Sequence, residues 1–577
     1  MASRNGGRGD RISCVGSGPG GTACAGRLGA WVPDQGDGTY KNPVLNGDYS
    51  DPDAIRVGDD FYLVSSSFVN VPGLPILHSR DLVNWDIIGH ALDVLPPQDH
   101  FRTPRRGGGV WAPAIRYHGG RYLIYYPDPD FGIFVVSAAD PKGPWTKPVL
   151  VDDARGAIDP CPFWDDDGTG YLVHAYAASR SGGRNNQVVL KRLNAEGTHT
   201  EGPEQILVDG KTLAPVETSL GPAPWFTIEG PKIYKRDGLY YIFAPAGGVK
   251  NGWQAVFRSK AITGPYEARN VMDQGATPGA NGPHQGAWVD TASGEDWFLH
   301  FQDTDSYGRR VWLEPMQWKD GWPVIGARQK GKVYGQPVLT WHKPKTAPQP
   351  VSVPVSDDNF DHGANVAWQW NANPGDDWAD TTSQPGWLRL KTISSSANLY
   401  EAGNELTQKL PNTAFSAVAK MTFSPRWEGE RAGLLLLGYN YGFIGVENTK
   451  DGVVVEQVTR VGADKTGTET KVVAPGKITG DVWLKASLTP VVTPVNPPVG
   501  YPIVWPAMRQ ETHARVTFSY SLDGKSWTQL GDGFISQPSR WVGAQIGLFA
   551  QSPSGTPSNV STRVGYAAFD SFRIEAR

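Results

Sequence analysis

One pattern constrains this chain more than any other: a β-hairpin that recurs five times across its first 340 residues. The copies read DYSDPDAIRVGDDFYLVSSS (48–67), VWAPAIRYHGGRYLIYYPD (110–128), IDPCPFWDDDGTGYLVHAYA (158–177), TIEGPKIYKRDGLYYIFAPA (227–246) and PHQGAWVDTASGEDWFLHFQD (283–303). Each begins at a polar or Pro-containing corner, continues as a short alternating strand, turns at Gly or Asp, and returns as an aromatic-rich strand. A looser half follows, as in 76–92, 132–151 and 254–273, which reads as two more strands around a Pro/Gly/Asp turn. Four strands repeated five times, at roughly 45–70 residue intervals, predict a five-bladed β-propeller over 40–340. A two-sheet sandwich does not explain the fivefold recurrence.

The rest of the chain has a different grain. Residues 1–39 are Gly- and Arg-rich without an apolar stretch, and are expected to be a disordered leader with no signal peptide. Residues 341–354 are Pro-rich and read as a stiff linker. From 355 to 577, alternating strands such as FSAVAKMTFSP, GVVVEQVTRV and ARVTFSYSLDGKSWTQL predict a β-sandwich of jelly-roll type, so the whole chain is all-β. A Pro-rich insertion at 491–508, carrying Tyr501 and Trp505, interrupts one of its turns.

Charge excludes some partners. With 19% charged residues and a net charge of −4, there is no electrostatic case for nucleic acid or an anionic membrane. No apolar run is long enough for a transmembrane helix. The three cysteines, Cys14, Cys24 and Cys161, make neither a disulfide framework nor a metal-ligand spacing. The 22 Trp suit a protein that stacks on flat sugar faces, although most must serve as core. Compartment and oligomeric state stay open.

The first strand of each propeller blade lines the central channel. The five repeat starts therefore bring Asp51, the segment Trp111–Ala112–Pro113, Asp159, Glu229 and His284 toward one end of the axis. Glu229 lies among Trp225, Phe226, Ile228 and Pro231, and a carboxyl in apolar surroundings tends to keep its proton. Carboxylates sharing one pocket cannot all ionise freely, so they divide into acid, base and tuner. Glycoside hydrolysis uses this set, the acid protonating the leaving oxygen and the base activating water on the opposite face. By position, Trp111 is a candidate to stack on a sugar and Phe68 to wall the pocket. His78 and His174 read as structural, and Asp165–Asp166–Asp167–Gly168 as a hairpin turn. Asp357 or Asp358 with Asp570 is a candidate pair for a structural cation.

These five motifs resemble those of glycoside hydrolase family 43, and 355–577 resembles the concanavalin A-like domain found after its β-xylosidase-like members. The resemblance implies an inverting, exo-acting hydrolase that releases terminal α-L-arabinofuranose or β-D-xylose from hemicellulose-derived chains such as xylo-oligosaccharides or arabinoxylan, with no organic cofactor. It implies Asp51 as general base, Asp159 as the tuning acid and Glu229 as general acid. Asp53 is the competitor for Asp51 in a shifted register. His284 matches an axial histidine that often faces a calcium ion. A pocket arginine is also implied, and of Arg309 and Arg310 the register to Trp318 favours Arg309. A non-catalytic carbohydrate-binding propeller and an endo-arabinanase are the rival readings.

Overall fold

The computed structural model describes residues 30–275, 281–375, 378–495, 509–556 and 564–577. Its first part is a ring of five antiparallel four-stranded blades, each wound in chain order from the axis outward. Blade I comprises Asp53–Val57, Asp60–Val64, Gly73–Ser79 and Asp86–Leu92. Blade II comprises Ala114–His118, Arg121–Asp128, Gly132–Ala138 and Val149–Asp152. Blade III comprises Ala157–Trp164, Gly170–Tyr176, Gln187–Leu193 and Thr200–Asp209. Lys232–Arg236, Leu239–Ala246, Trp253–Ser259 and Glu267–Asp273 make blade IV, which Gly335–Gln336 and Ala327–Arg328 extend. His284–Asp290, Asp296–Asp303, Arg309–Lys319 and Trp322–Ile325 make blade V.

The period of two explains why the blades stack. In blade IV, Tyr240, Ile242 and Ala244 pack with Val173, Val188 and Leu190 of blade III. Their neighbours Tyr241 and Phe243 face the other way, onto Phe298 and Met316 of blade V. Equivalent clusters fill the seams between blades I and V, I and II, and II and III. A blade is thus apolar on both faces and needs two neighbours, a demand that only a closed ring meets at every position. Closure is made by the chain ahead of blade I. Thr39–Lys41 pairs antiparallel with Thr340–His342, and Leu45 exchanges backbone hydrogen bonds with Val311.

The second part is a sandwich of two sheets, antiparallel but for the short strand Ile393–Ser394, one including Arg431–Leu437, Tyr441–Thr449 and Gln545–Ser552, the other Phe415–Ser424, Val482–Val495 and Tyr566–Ala576. Leu434, Leu436, Ile444 and Leu548 of the first meet Ala417, Leu484, Val516 and Phe569 of the second in one core. Residues 1–29 of the expected leader lie outside the described residues. Residues 30–39 are held, with Trp31 Nε1 donating to the Pro43 carbonyl and Asp34 paired with Lys343. The Pro-rich segment lies against the propeller, where Lys343 also meets Asp81 and the Ser352 amide donates to Asn84. Most of the 491–508 insertion, with Tyr501 and Trp505, is outside the described residues. Among those residues no helix is long and apolar enough to cross a membrane.

Candidate active site

A pocket of about 520 Å³ opens at one end of the propeller axis. It is lined by Asp51, Asp159, Glu229, His284, Arg309, Trp111 and Phe68, so the structure brings together all seven residues singled out from the sequence. The sandwich closes one side with Pro538, Ser539, Trp541 and Val542.

The backbone is bent to aim these side chains. Asp51 and Asp159, at matching corners of blades I and III, have positive φ of 54° and 56°, rarely adopted outside glycine. Asp159 sits where the pairing of the first two strands of blade III slips between Ile158 and Cys161. A second slip between His284 and Gly286 places Gln285, with φ of 37°. Such bulges re-aim side chains at the cost of local strain, and they concentrate at sites.

Each carboxyl has its own environment. Asp51 is buried, accepts from Ser66 Oγ at 2.6 Å, and lies 3.3 Å from Arg309 Nη1. Burial works against the Arg309 charge, yet Asp51, Asp303 and Asp48 hold its guanidinium above the ordinary value. Asp159 accepts from the Gly230 amide at 2.7 Å. Burial, then the charges of Glu229 and Asp51, push Asp159 up to about 8, against the opposing pull of the Gly230 amide and Lys232. Gly230 is required there, because a Cβ would stand 2.6 Å from Gln285 Cγ. Glu229 Oε1 lies 2.8 Å from His284 Nε2, and its side chain is 21% exposed, against 5% for Asp51. Glu229 is therefore the carboxyl of this pair that reaches furthest into the open pocket.

Geometry also separates the competitors. Asp53 is fully buried away from the pocket, accepting from the Ile115 amide and Arg116 at 2.8 and 2.7 Å. Arg310 turns away from Asp51, its side chain bonded to the buried Asn46 and Thr304. Phe68, Trp111 and Trp541 form an aromatic wall, with ring centroids 6.3 and 5.8 Å apart in succession. His78 pairs with Asp60. His174 is buried with Nδ1 on the Ala175 carbonyl, and Asp165 is held by Lys235 and Tyr240 in a hairpin turn. Asp570 is engaged by Lys420, Asp358 by the Phe360 and Asn365 amides and Asp357 by the Ile574 amide, and among the described residues no group of three His, Cys, Asp or Glu side chains is arranged to hold an ion there.

Several lining residues have no counterpart in the sequence reading. Gln285 shares the His284 bulge, Asp303 ends the fifth hairpin and Asp305 follows it. Lys250, between the second and third strands of blade IV, makes an ion pair with Asp305. Trp541 comes from another domain, and no signal near the repeats points to it.

Known proteins share this chain's sequence pattern and fold. The sequence model of "Glycosyl hydrolases family 43" matches residues 40–323, and that of "Beta xylosidase C-terminal Concanavalin A-like domain" matches 357–575. A putative beta-xylosidase from Xylanibacter ruminicola is 36% identical over 515 residues, covering 89% of this chain and 86% of that protein. The chain belongs to glycosyl hydrolases family 43. A family 43 protein of known crystal structure from Bacillus licheniformis is 27% identical, with a TM-score of 0.75 over 93% of this chain and 100% of its own. A non-reducing end alpha-L-arabinofuranosidase from Bacteroides ovatus is 31% identical, covering 71% of this chain and 76% of that protein. This family 43 chain is accordingly a glycosidase, built as a five-bladed propeller with a concanavalin A-like sandwich.

The calcium expectation meets a sparse donor set. Calcium takes six to eight oxygen ligands. His284 engages Glu229 through Nε2 and offers only a buried, unpartnered Nδ1. Among the described residues no group of three His, Cys, Asp or Glu side chains is arranged to hold an ion. These residues do not make a calcium cage, so calcium rests on the resemblance alone and takes no part in the chemistry below.

Proposed function

We propose that this family 43 enzyme removes single terminal pentoses, β-D-xylose or α-L-arabinofuranose, from xylan-type chains with inversion at the anomeric carbon. One observation carries the reading: three carboxyls of different environment face a pocket that the sandwich closes on one side. A pocket of that form receives a chain end, whereas an endo-acting enzyme needs an open cleft. The relatives, a putative beta-xylosidase and an alpha-L-arabinofuranosidase, are named for the same two sugars.

In this reading Glu229 gives its proton to the glycosidic oxygen as the bond to the anomeric carbon breaks. Asp51 takes a proton from water, whose oxygen attacks that carbon from the opposite face. His284 holds the Glu229 carboxyl in place, and Arg309 does the same for Asp51. Asp159 fixes the Glu229 turn through the Gly230 amide and competes electrostatically for the proton of the pair. Phe68, Trp111 and Trp541 exclude water and present ring faces to the sugar.

Hydrolysis of nitrophenyl β-D-xyloside and nitrophenyl α-L-arabinofuranoside, followed by NMR of the first-formed anomer, tests this. Cleavage of at least one with inverted product is expected, together with stepwise shortening of xylo-oligosaccharides. Failure on both glycosides would remove pentosides as the substrate class.

A further inference from the structure

Asp48 stands outside the pocket, yet it touches two of the pocket's walls. It is buried, and its two carboxylate oxygens are shared between the domains. Oδ1 accepts from the backbone amide of Arg309 in the propeller, and Oδ2 from that of Gly543 in the sandwich, each at 2.8 Å. The seam around it has no spare room. A Cβ on Gly308 would lie 2.3 Å from Asp48 Cγ, and one on Gly543 would lie 2.5 Å from the Gly308 nitrogen.

The two partners differ in how much they depend on this contact. Arg309 opens a strand paired with Asp303 through Asp296, so the blade already fixes its backbone. The loop bearing Trp541 is held at its start within the sandwich, where the Tyr439 amide donates to Pro538 and Tyr400 meets Ser539. At its far end it is held to the propeller by Gly543 on Asp48 and by the Ala544 amide on the Ser306 carbonyl. Trp541 stands between these anchors with φ of 68°, a conformation that a tryptophan keeps only when its surroundings impose it. A carboxylate is suited to this post because it accepts through both oxygens; burial pushes the Asp48 carboxyl above its ordinary value, and the Lys409 ammonium of the sandwich, the two amides and the Arg309 guanidinium pull the other way.

We propose that Asp48 is a positioning residue that clamps the sandwich loop onto the propeller and so sets Trp541 in place as a wall of the sugar pocket. The kinetic part rests on the pentosidase reading above. The structural part does not.

The test is Asp48→Asn, which keeps the size but offers one acceptor for two amides. KM for a nitrophenyl pentoside should rise about tenfold with kcat within about twofold. In a Trp541→Ala background the same substitution should change KM by less than about twofold, because the wall it positions is gone. An equal rise in both backgrounds overturns the proposal. Hydrogen–deuterium exchange needs no substrate: residues 539–545 should exchange about tenfold faster in D48N, with 310–319 unchanged, and unaltered exchange at 539–545 also overturns it. If D48N does not fold, Lys409→Met weakens the charge of the clamp while leaving Asp48 in place. It should give a smaller KM rise that again vanishes with Trp541→Ala, and persistence of the rise there counts against the clamp. If the wild type cleaves neither pentoside, the functional reading fails and the exchange result alone decides on Asp48.

Discussion

Glu229 and Asp51 are chemically similar, and their assigned roles separate them by what each does to the leaving group. An acid matters in proportion to how badly the departing oxygen needs a proton. Nitrophenolate leaves unaided, whereas a sugar alkoxide does not. Glu229→Gln is therefore expected to lower kcat on a xylo-disaccharide by about 10²–10⁴-fold and far less on a nitrophenyl pentoside. Asp51→Asn should depress both alike, since water must be activated in either case. Steady-state kinetics on the two substrates check this, and an equal loss from Glu229→Gln on both would reassign the acid. Asp159 carries a stability consequence as well. Its folded-state pKa, about 8, lies above the ordinary carboxyl value of 3.8, so the fold favours its protonated form. That preference is fully available below about pH 4 and is lost as pH rises through 8, where the buried group must ionise. Asp159→Asn cannot ionise, so its melting temperature relative to wild type should climb by a few degrees between pH 4.5 and pH 8.5. A flat or falling difference would show that burial of this carboxyl does not resist its charge.

At the scale of elements, closing the ring depends on a few residues ahead of blade I. Asn42 is buried and makes three side-chain hydrogen bonds. It donates to the Leu313 and Val338 carbonyls and accepts from the Leu313 amide, all at 2.8–2.9 Å. Asn42→Ala leaves the Leu313 amide and the Val338 carbonyl without these partners in a dry seam, which should cost about 2–4 kcal/mol by urea unfolding. A change under about 0.5 kcal/mol would show that closure rests on the apolar seams alone. The blades themselves were legible because alternation and turn chemistry repeat in sequence, and the corners carrying Asp51, Asp159, Glu229 and His284 repeat with them. The choice between Arg309 and Arg310 follows from the same period: Arg309 pairs with Asp303 and Arg310 with Gln302, so their side chains leave opposite faces. The bulges at Asp159 and Gln285 were not legible, because an extra residue in a strand is fixed by its partner strand rather than by its own sequence. Trp541 was hidden for a further reason. Its part in the pocket exists only once two domains have docked, and nothing in the local pattern around residue 541 records that.

That docking makes the enzyme one unit rather than two. Backbone groups pair across the junction as they would inside a sheet: Val71 and Trp370 exchange hydrogen bonds at 2.9 and 2.6 Å. The Asn373 amide donates to the Phe101 carbonyl, and its side chain accepts from the Leu95 amide. Near the pocket, Tyr307 reaches the Thr413 carbonyl, the Thr512 amide reaches Asp305, and Ser306 meets His513. Separating the halves would strand buried donors and acceptors on both sides, each costing about 1–3 kcal/mol. Neither half therefore has a stable independent state to occupy while the other is unfolded. Scanning calorimetry of the whole chain should show a single transition, and activity should disappear at the same temperature as the propeller's signal. Because irreversible unfolding makes the midpoint depend on heating rate, the comparison is made at several rates. Two resolved peaks, with catalysis surviving the first, would mean that the pocket stands without the sandwich, and the third side of its aromatic wall would then have to come from the propeller itself.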